Sequence, residues 1–147
     1  MIARENVTES PNTTANTAPA PPAIEFYPSP TPRPFSQAVR INDVLYLSGE
    51  LGIRADGTLA DGFEAQAHQT MQNIAETLRS LGAGMTDVFK ATIMLDDMSR
   101  WAEFNAVYLE YFDAERLPSR SAFGSSGLAL GAHLEVECWA YVPALAR

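Results

Sequence analysis

Between Leu117 and Tyr141 the chain reads LPSRSAFGSSGLALGAHLEVECWAY, and two of these residues are suited to joint work on a small molecule. Arg120 stands in a Pro118-Ser119-Arg120-Ser121 segment. Its guanidinium is a planar fork that can hold a carboxylate through two parallel hydrogen bonds, whereas lysine supplies charge without the fork. Glu135 lies among Leu134, Val136 and Trp139, neighbours that would draw its carboxylate out of water. Desolvation raises a carboxyl pKa and suits the group to proton transfer. Two β-like runs joined by a Gly-rich return predict a hairpin that brings Arg120 and Glu135 together. A bland reading stands beside each residue: Arg120 as a surface ion-pair arginine, and Glu135 with Glu137 as solvated edge-strand charges.

Other chemistry lacks its constellation. His68 and His133 have no partner at metal-ligand spacing, so neither is expected to bind a metal. Cys138 alternates with Val136 and Ala140 and reads as a small core residue. Ser48 and Ser121 have no nearby histidine with an acid, which leaves a serine nucleophile without a base. Gly124, Gly127 and Gly131 are followed by no Lys-Ser/Thr and open no helix, so a phosphate-binding loop is not expected. No cofactor is implied.

The chain of 147 residues, 46% of them apolar, is long enough for one domain with a real core. A net charge of -8 argues against nucleic acid as a partner. One cysteine excludes an intramolecular disulfide framework. No apolar run reaches membrane length, and the N-terminus lacks the apolar stretch of a signal peptide. A cytoplasmic protein without a membrane partner is expected. Residues 1–33 are rich in Pro, Thr, Asn and Ala, with prolines at 11, 19, 21, 22, 28, 30 and 32 that oppose regular ladders. They read as a disordered or peripheral arm before a domain at 34–147, with Ile24, Phe26 and Tyr27 apolar enough to lie against it. The acceptor patterns at Asn6 and Asn12 read as chance composition.

The elements that must position the pair follow from periodicity. Ala38–Ile41 and Val44–Ser48 form a hairpin about Asn42-Asp43. Phe63, Ala67, Met71, Ile74, Leu78 and Leu81 mark one face of a helix stopped by Gly82-Ala83-Gly84. Phe89, Ala91, Ile93 and Leu95 alternate as one face of a strand. Asp96 to Ser99 offer caps for a second helix with a stripe from Trp101 to Phe112. In the last strand Leu134, Val136, Cys138, Ala140 and Val142 point one way and Glu135, Glu137, Trp139 and Tyr141 the other. The order β-β-α-β-α-β-β predicts an α+β domain with two helices on one face of a mixed sheet. The face carrying Trp139 and Tyr141 then needs a cover, which a second subunit would supply.

Five segments resemble the RidA (YjgF) enamine/imine deaminases in unbroken order over about residues 34–143: Pro34-Phe35-Ser36-Gln37-Ala38, Leu45-Tyr46-Leu47-Ser48-Gly49, Phe104-Asn105-x-x-Tyr108, Pro118-Ser119-Arg120-Ser121 and Leu134-Glu135-Val136-Glu137. The resemblance implies a chorismate-mutase-like fold and a homotrimer with sites between subunits. It also implies hydrolysis of a 2-imino acid, formed from its enamine, to a 2-oxo acid and ammonia, with no metal. Arg120 would hold the substrate carboxylate, and Glu135 would orient or activate water. Backbone near Ser48, Gly49 and Ala122 would complete the clamp, with Phe35 and Asn105 shaping the pocket from the neighbouring chain.

Two positions depart from the family pattern. Ala122 stands where many relatives have cysteine, and Phe35 where many have tyrosine. The first removes a thiol the mechanism does not use. The second removes a hydroxyl, and the lost hydrogen bond to substrate or water would lower the rate or shift preference toward a larger, more apolar imino acid. Three alternatives stay open: a deaminase of a larger unsaturated amino acid such as 2-aminomuconate, a non-catalytic carboxylate-binding or chaperone-like module, and the endoribonuclease activity attached to some relatives. The last suits the acidic charge least.

Overall fold

The computed structural model describes residue 20 and residues 23–143. The acceptor patterns at Asn6 and Asn12 and most of the proposed arm lie outside the described residues. Eight main elements follow one another: β1 (Ile24–Pro28), β2 (Ser36–Ile41), β3 (Val44–Leu47), α1 (Phe63–Ser80), β4 (Val88–Leu95), α2 (Trp101–Tyr108), β5 (Ser119–Gly124) and β6 (Leu134–Tyr141). The strands form one sheet in the order β1-β2-β3-β6-β4-β5. Only β4 and β5 run parallel, and α2 makes the crossover between them.

Local chemistry explains the boundaries. Asn42 takes φ 52 in the β2–β3 turn, a left-handed conformation that asparagine tolerates. Helix α1 ends where Gly82 adopts φ +78 and where the Leu78 carbonyl accepts from the Leu81 and Ala83 N–H groups. Asp97 accepts from the Ser99 N–H at 2.9 Å, which caps the short turn leading into α2.

One face of the sheet carries the core. Ala38, Leu45, Leu47, Ala91, Ile93, Leu95, Leu134, Val136, Cys138 and Ala140 are buried against Met71, Ile74 and Leu78 of α1 and Phe104 and Val107 of α2. Burying each large aliphatic or aromatic side chain here stabilises the fold by about 1.5–3 kcal/mol before entropy is counted. Among the described residues no helix covers the opposite face. It displays Phe89, Phe123 and Tyr141, which are 41%, 50% and 52% exposed.

The structure corrects four expectations. Residues 24–28 are not held out of the ladder by the surrounding prolines. Residues 23–27 carry none, and β1 pairs antiparallel with β2 until a register shift between Tyr27 and Pro28. Phe89 does not share a face with Ala91, because a bulge between Val88 and Lys90 puts Val88 in the core and leaves Phe89 outside. Helix α2 ends at Tyr108, although Tyr111 and Phe112 beyond it still pack against the core. Finally, β5 and β6 do not form a hairpin. The chain leaves β5, where the Ser125 N–H bonds the Leu95 carbonyl, and turns through residues 129–131 with φ 60 at Leu130 and 70 at Gly131. It then enters β6 on the far side of β4.

Candidate active site

That topology separates Arg120 from Glu135. Arg120 pairs in register with Ala91, whose partner on the other side is Cys138, so Arg120 lies on the helix-covered side. Glu135 pairs with Met94, which pairs with Phe123. Paired residues in a sheet share a face and alternate along the strand, so Glu135 lies on the open side. In one protomer the guanidinium and the carboxylate therefore occupy opposite faces, two strands apart, and the expectation that one chain joins them is overturned.

Arg120 is held by α2. Its Nη2 donates to Asn105 Oδ1 at 2.8 Å, and its guanidinium carbon lies 4.7 Å from the ring centroids of both Trp101 and Tyr108. Positions 101, 105 and 108 recur at four and three residues and so share one helix face. Contacts of a cation with aromatic faces contribute about 0.5–2 kcal/mol each, depending on desolvation. Among the described residues no carboxylate pairs with Arg120, so it is not the surface ion-pair arginine of the bland reading. Four of its five N–H donors remain for a ligand, and it lines a pocket of about 300 Å³ with Asn105, Tyr108, Leu109, Leu117 and Pro118. The Tyr108 hydroxyl is buried without a hydrogen-bond partner among the described residues, and burial pushes its pKa up to about 12.

Ala122 continues the Arg120 face and packs its methyl against the core. Because the Ser125 N–H points to Leu95 in β4, alternation aims the N–H and C=O of Ala122 outward from the free edge of β5. The main-chain donor expected there is available.

The second half-site surrounds Glu135. Burial, and then the charge of Glu137, holds its carboxyl above the usual carboxylate range. The carboxylate lies over Gly49 so closely that a Cβ at that position would stand 2.0 Å from Oε1. Glycine makes room for the proposed base. Ser48 is more constrained than expected: its N–H donates to the Gln37 carbonyl at 3.0 Å and its hydroxyl to the Ser36 carbonyl at 2.7 Å. It shapes the strand end instead of clamping a ligand through its N–H. Phe35, 48% exposed, lines a pocket of about 350 Å³ with Ser48 and Gly49. Phe35 and Asn105 thus belong to different halves.

Three features escape sequence reasoning. The aromatic bracket is one: Trp101 and Tyr108 look like members of a core stripe, and only their spacing from Asn105 hints at a shared partner. Glu50 is another. It is half-buried and exchanges both backbone bonds with Val136, at 2.8 and 3.0 Å. Burial raises its pKa, Arg33 opposes that shift and Glu135 adds to it. The third is Arg33 itself, whose guanidinium lies over Phe35 at 5.8 Å. Each histidine has a side-chain partner: His68 Nδ1 meets the Tyr111 hydroxyl at 3.0 Å and His133 Nδ1 meets Asp96 at 2.7 Å. Cys138 is fully buried, and its thiol is pushed up to about 12, chiefly by burial.

Comparison with known proteins places this geometry. Residues 28–142 match the model of the endoribonuclease L-PSP family. The chain is 38% identical over 124 residues to the 2-iminobutanoate/2-iminopropanoate deaminase of Bos taurus, covering 83% of this chain and 84% of that protein. It is 37% identical over 107 residues to Reactive Intermediate Deaminase A, chloroplastic, of Arabidopsis thaliana. That match covers 71% of this chain and 57% of the plant protein's own length. Among solved structures, RidA from the Antarctic bacterium Psychrobacter sp. PAMC 21119 aligns with a TM-score of 0.73 at 32% identity, over 79% of this chain and 94% of that one. The Rid-family protein YyfA from Yersinia pestis aligns with a TM-score of 0.76 at 32% identity, over 82% and 100%.

Proposed function

The chain belongs to the endoribonuclease L-PSP family, which includes the RidA deaminases, and we propose that it hydrolyses 2-imino acids to 2-oxo acids and ammonia at sites shared between copies of the chain. The observation that carries this reading is Arg120: a guanidinium fixed by Asn105 and two rings, with its remaining donors free beside a pocket. Such a group is built to hold a small carboxylate. Glu135, the second requirement of the chemistry, lies on the other face of the same chain, so a complete site takes Arg120 from one copy and Glu135 from the next. The uncovered sheet face and the free edge of β5 support an assembly of this kind, and a homotrimer closes it.

In the proposed reaction Arg120 holds the carboxylate through two charge-assisted bonds, each worth roughly 1.5–3 kcal/mol. The Ala122 N–H adds a neutral donor. The imine carbon of the protonated substrate is electrophilic. Glu135 takes a proton from water as its oxygen bonds to that carbon, and the C=N π pair moves to nitrogen. The Glu135 proton then passes to the nitrogen of the tetrahedral intermediate, the C–N bond breaks and ammonia leaves as the C=O forms. The hydroxyl proton released in that step goes back to the carboxylate and then to solvent. A carboxyl group with a raised pKa is suited to both transfers.

The test is formation of 2-oxobutanoate and pyruvate from 2-iminobutanoate and 2-iminopropanoate generated in place. Acceleration by wild type, abolished in Arg120→Ala, supports the reading. Failure of the folded wild type to accelerate either reaction removes it. Glu135→Ala is expected to bind a 2-oxo acid product normally and to lose turnover; equal loss of binding in both variants contradicts the assigned roles.

A further inference from the structure

The pocket of about 350 Å³ that begins at Phe35 and Gly49 continues along α1 to Gln69 and Asn73. Most of its polar groups are already committed. Arg54 is paired with Asp61 at 2.8 Å, and Glu76 with Arg79. Asn73 donates to the carbonyls of Leu51 and Ile53 at 3.0 and 2.9 Å, and Gln69 donates to Asn73 at 2.9 Å. Arg33 stands at the exposed rim, bonded to Thr31 and stacked on Phe35.

Glu50 differs from all of these. Its backbone is fixed by two bonds to Val136, and its side chain is half-buried in the pocket wall. Among the described residues that side chain makes no hydrogen bond and no ion pair. Only the Tyr108 hydroxyl is both buried and unpartnered among the described residues, so the Glu50 oxygens still reach water at the pocket wall, and a ligand that displaces this water can offer them the donors the protein does not. Two charges act on it from neighbouring elements, the Arg33 guanidinium before β2 and the Glu135 carboxylate on β6. Arg33 lies at the exposed rim, where solvent screens it from a ligand more than it does the half-buried Glu50 farther in, although its charge acts on Glu50 more than that of Glu135 does.

Resting on the deaminase reading, we infer that this pocket receives the side chain of the substrate and that Glu50 selects imino acids whose side chains end in hydrogen-bond donors, above all a cationic guanidino group. Gly49 joins the two regions, since it lies under the Glu135 carboxylate and also lines the pocket. Glu50 shares the helix-covered face with its partner Val136, whereas Glu135 faces the open side, so a substrate with its imine carbon at Glu135 would pass its side chain over the strand end at Gly49, where no side chain intervenes, and past Phe35 to reach Glu50. An acidic side chain would set a second carboxylate against the first.

The test compares kcat/KM for the imino acids made in place from arginine, citrulline, glutamate and alanine by an amino-acid oxidase. Arginine and citrulline share length and shape and differ in charge. The arginine-derived imine is expected to exceed the glutamate-derived one by about tenfold or more, the scale of one charge-assisted bond. Glu50→Gln should lower the arginine-to-citrulline and arginine-to-alanine ratios by about the same factor, and Glu50→Asp should retain part of the preference. Ratios equal in wild type and Glu50→Gln, or a preference for the glutamate-derived imine, overturn the inference while leaving the deaminase reading intact. Absence of hydrolysis even of the alanine-derived imine removes both.

Discussion

Replacing Gly49 by alanine tests the placement of Glu135 with a single methyl group. The added Cβ would lie 2.0 Å from Oε1, 2.9 Å from Cδ and 3.1 Å from Cγ of Glu135. Ordinary contact begins at 3.4 Å, so the carboxylate oxygen must retreat by about 1.4 Å. Gly49 is not among the glycines with positive φ, so alanine is compatible with the backbone and the effect falls on the side chain above it. Moving Glu135 off its rotamer costs about 0.5–1.5 kcal/mol, a modest loss of stability. Catalysis is more sensitive, since a displacement of about 1 Å in a reacting group can cost on the order of a hundredfold in rate. Gly49→Ala should therefore lower kcat for 2-iminopropanoate by about a hundredfold, with KM changed much less because Arg120 is untouched. Oxo-acid formation measures the rate, and thermal unfolding of the same sample confirms the fold. Wild-type kcat in a folded Gly49→Ala protein would refute the claim that Glu135 works from the position over this glycine.

Three further outcomes follow from the same geometry. Trp101→Leu removes one ring from the Arg120 bracket, so KM should rise about two- to thirtyfold, the equivalent of 0.5–2 kcal/mol, with most of the loss restored by Trp101→Phe; steady-state kinetics check this, and an unchanged KM contradicts it. Tyr108→Phe deletes a buried hydroxyl that has no partner and should raise stability by about 1 kcal/mol, measured by denaturant unfolding; a comparable loss would mean that the hydroxyl is bonded. Burial holds Glu50 above its ordinary pKa, so the native state favours the protonated form. The stability this contributes is fully present below the unfolded pKa and lost as pH rises through the raised folded value. Glu50→Gln removes that loss, and its gain in Tm over wild type should be larger at about pH 8 than at about pH 4.

Much of the fold was legible because alternation is a strong signal where one face is buried. Leu134, Val136, Cys138 and Ala140 are all buried and their neighbours are not, as the pattern of that strand requires. The errors arise where tertiary pairing overrides local pattern. Nothing between Gly124 and Leu134 announces that the return passes β4, since a turn rich in glycine serves a hairpin and a crossover equally. The bulge after Val88 inverts Phe89 without any glycine or proline to mark it. For the candidate site, residue types singled out Arg120 and Glu135, but their separation onto opposite faces needed the sheet order. Glu50 was hidden for a different reason: it follows a strand end in a Ser-Gly-Glu segment, outside any period that would give its direction. That its carboxylate has no hydrogen bond among the described residues emerges only when the bonds of its neighbours are known.

Mixed oligomers of Arg120→Ala and Glu135→Ala chains test the central claim most directly. Each variant alone should be inactive on 2-iminobutanoate. If a site takes its arginine from one copy and its glutamate from the next, co-assembly at equal amounts restores both intact halves to about a quarter of the sites, and activity returns to about a quarter of the wild-type value. If activity stays at the background of the separate variants while the chains demonstrably co-assemble, the site does not join Arg120 and Glu135 across copies, and the proposed mechanism fails with it.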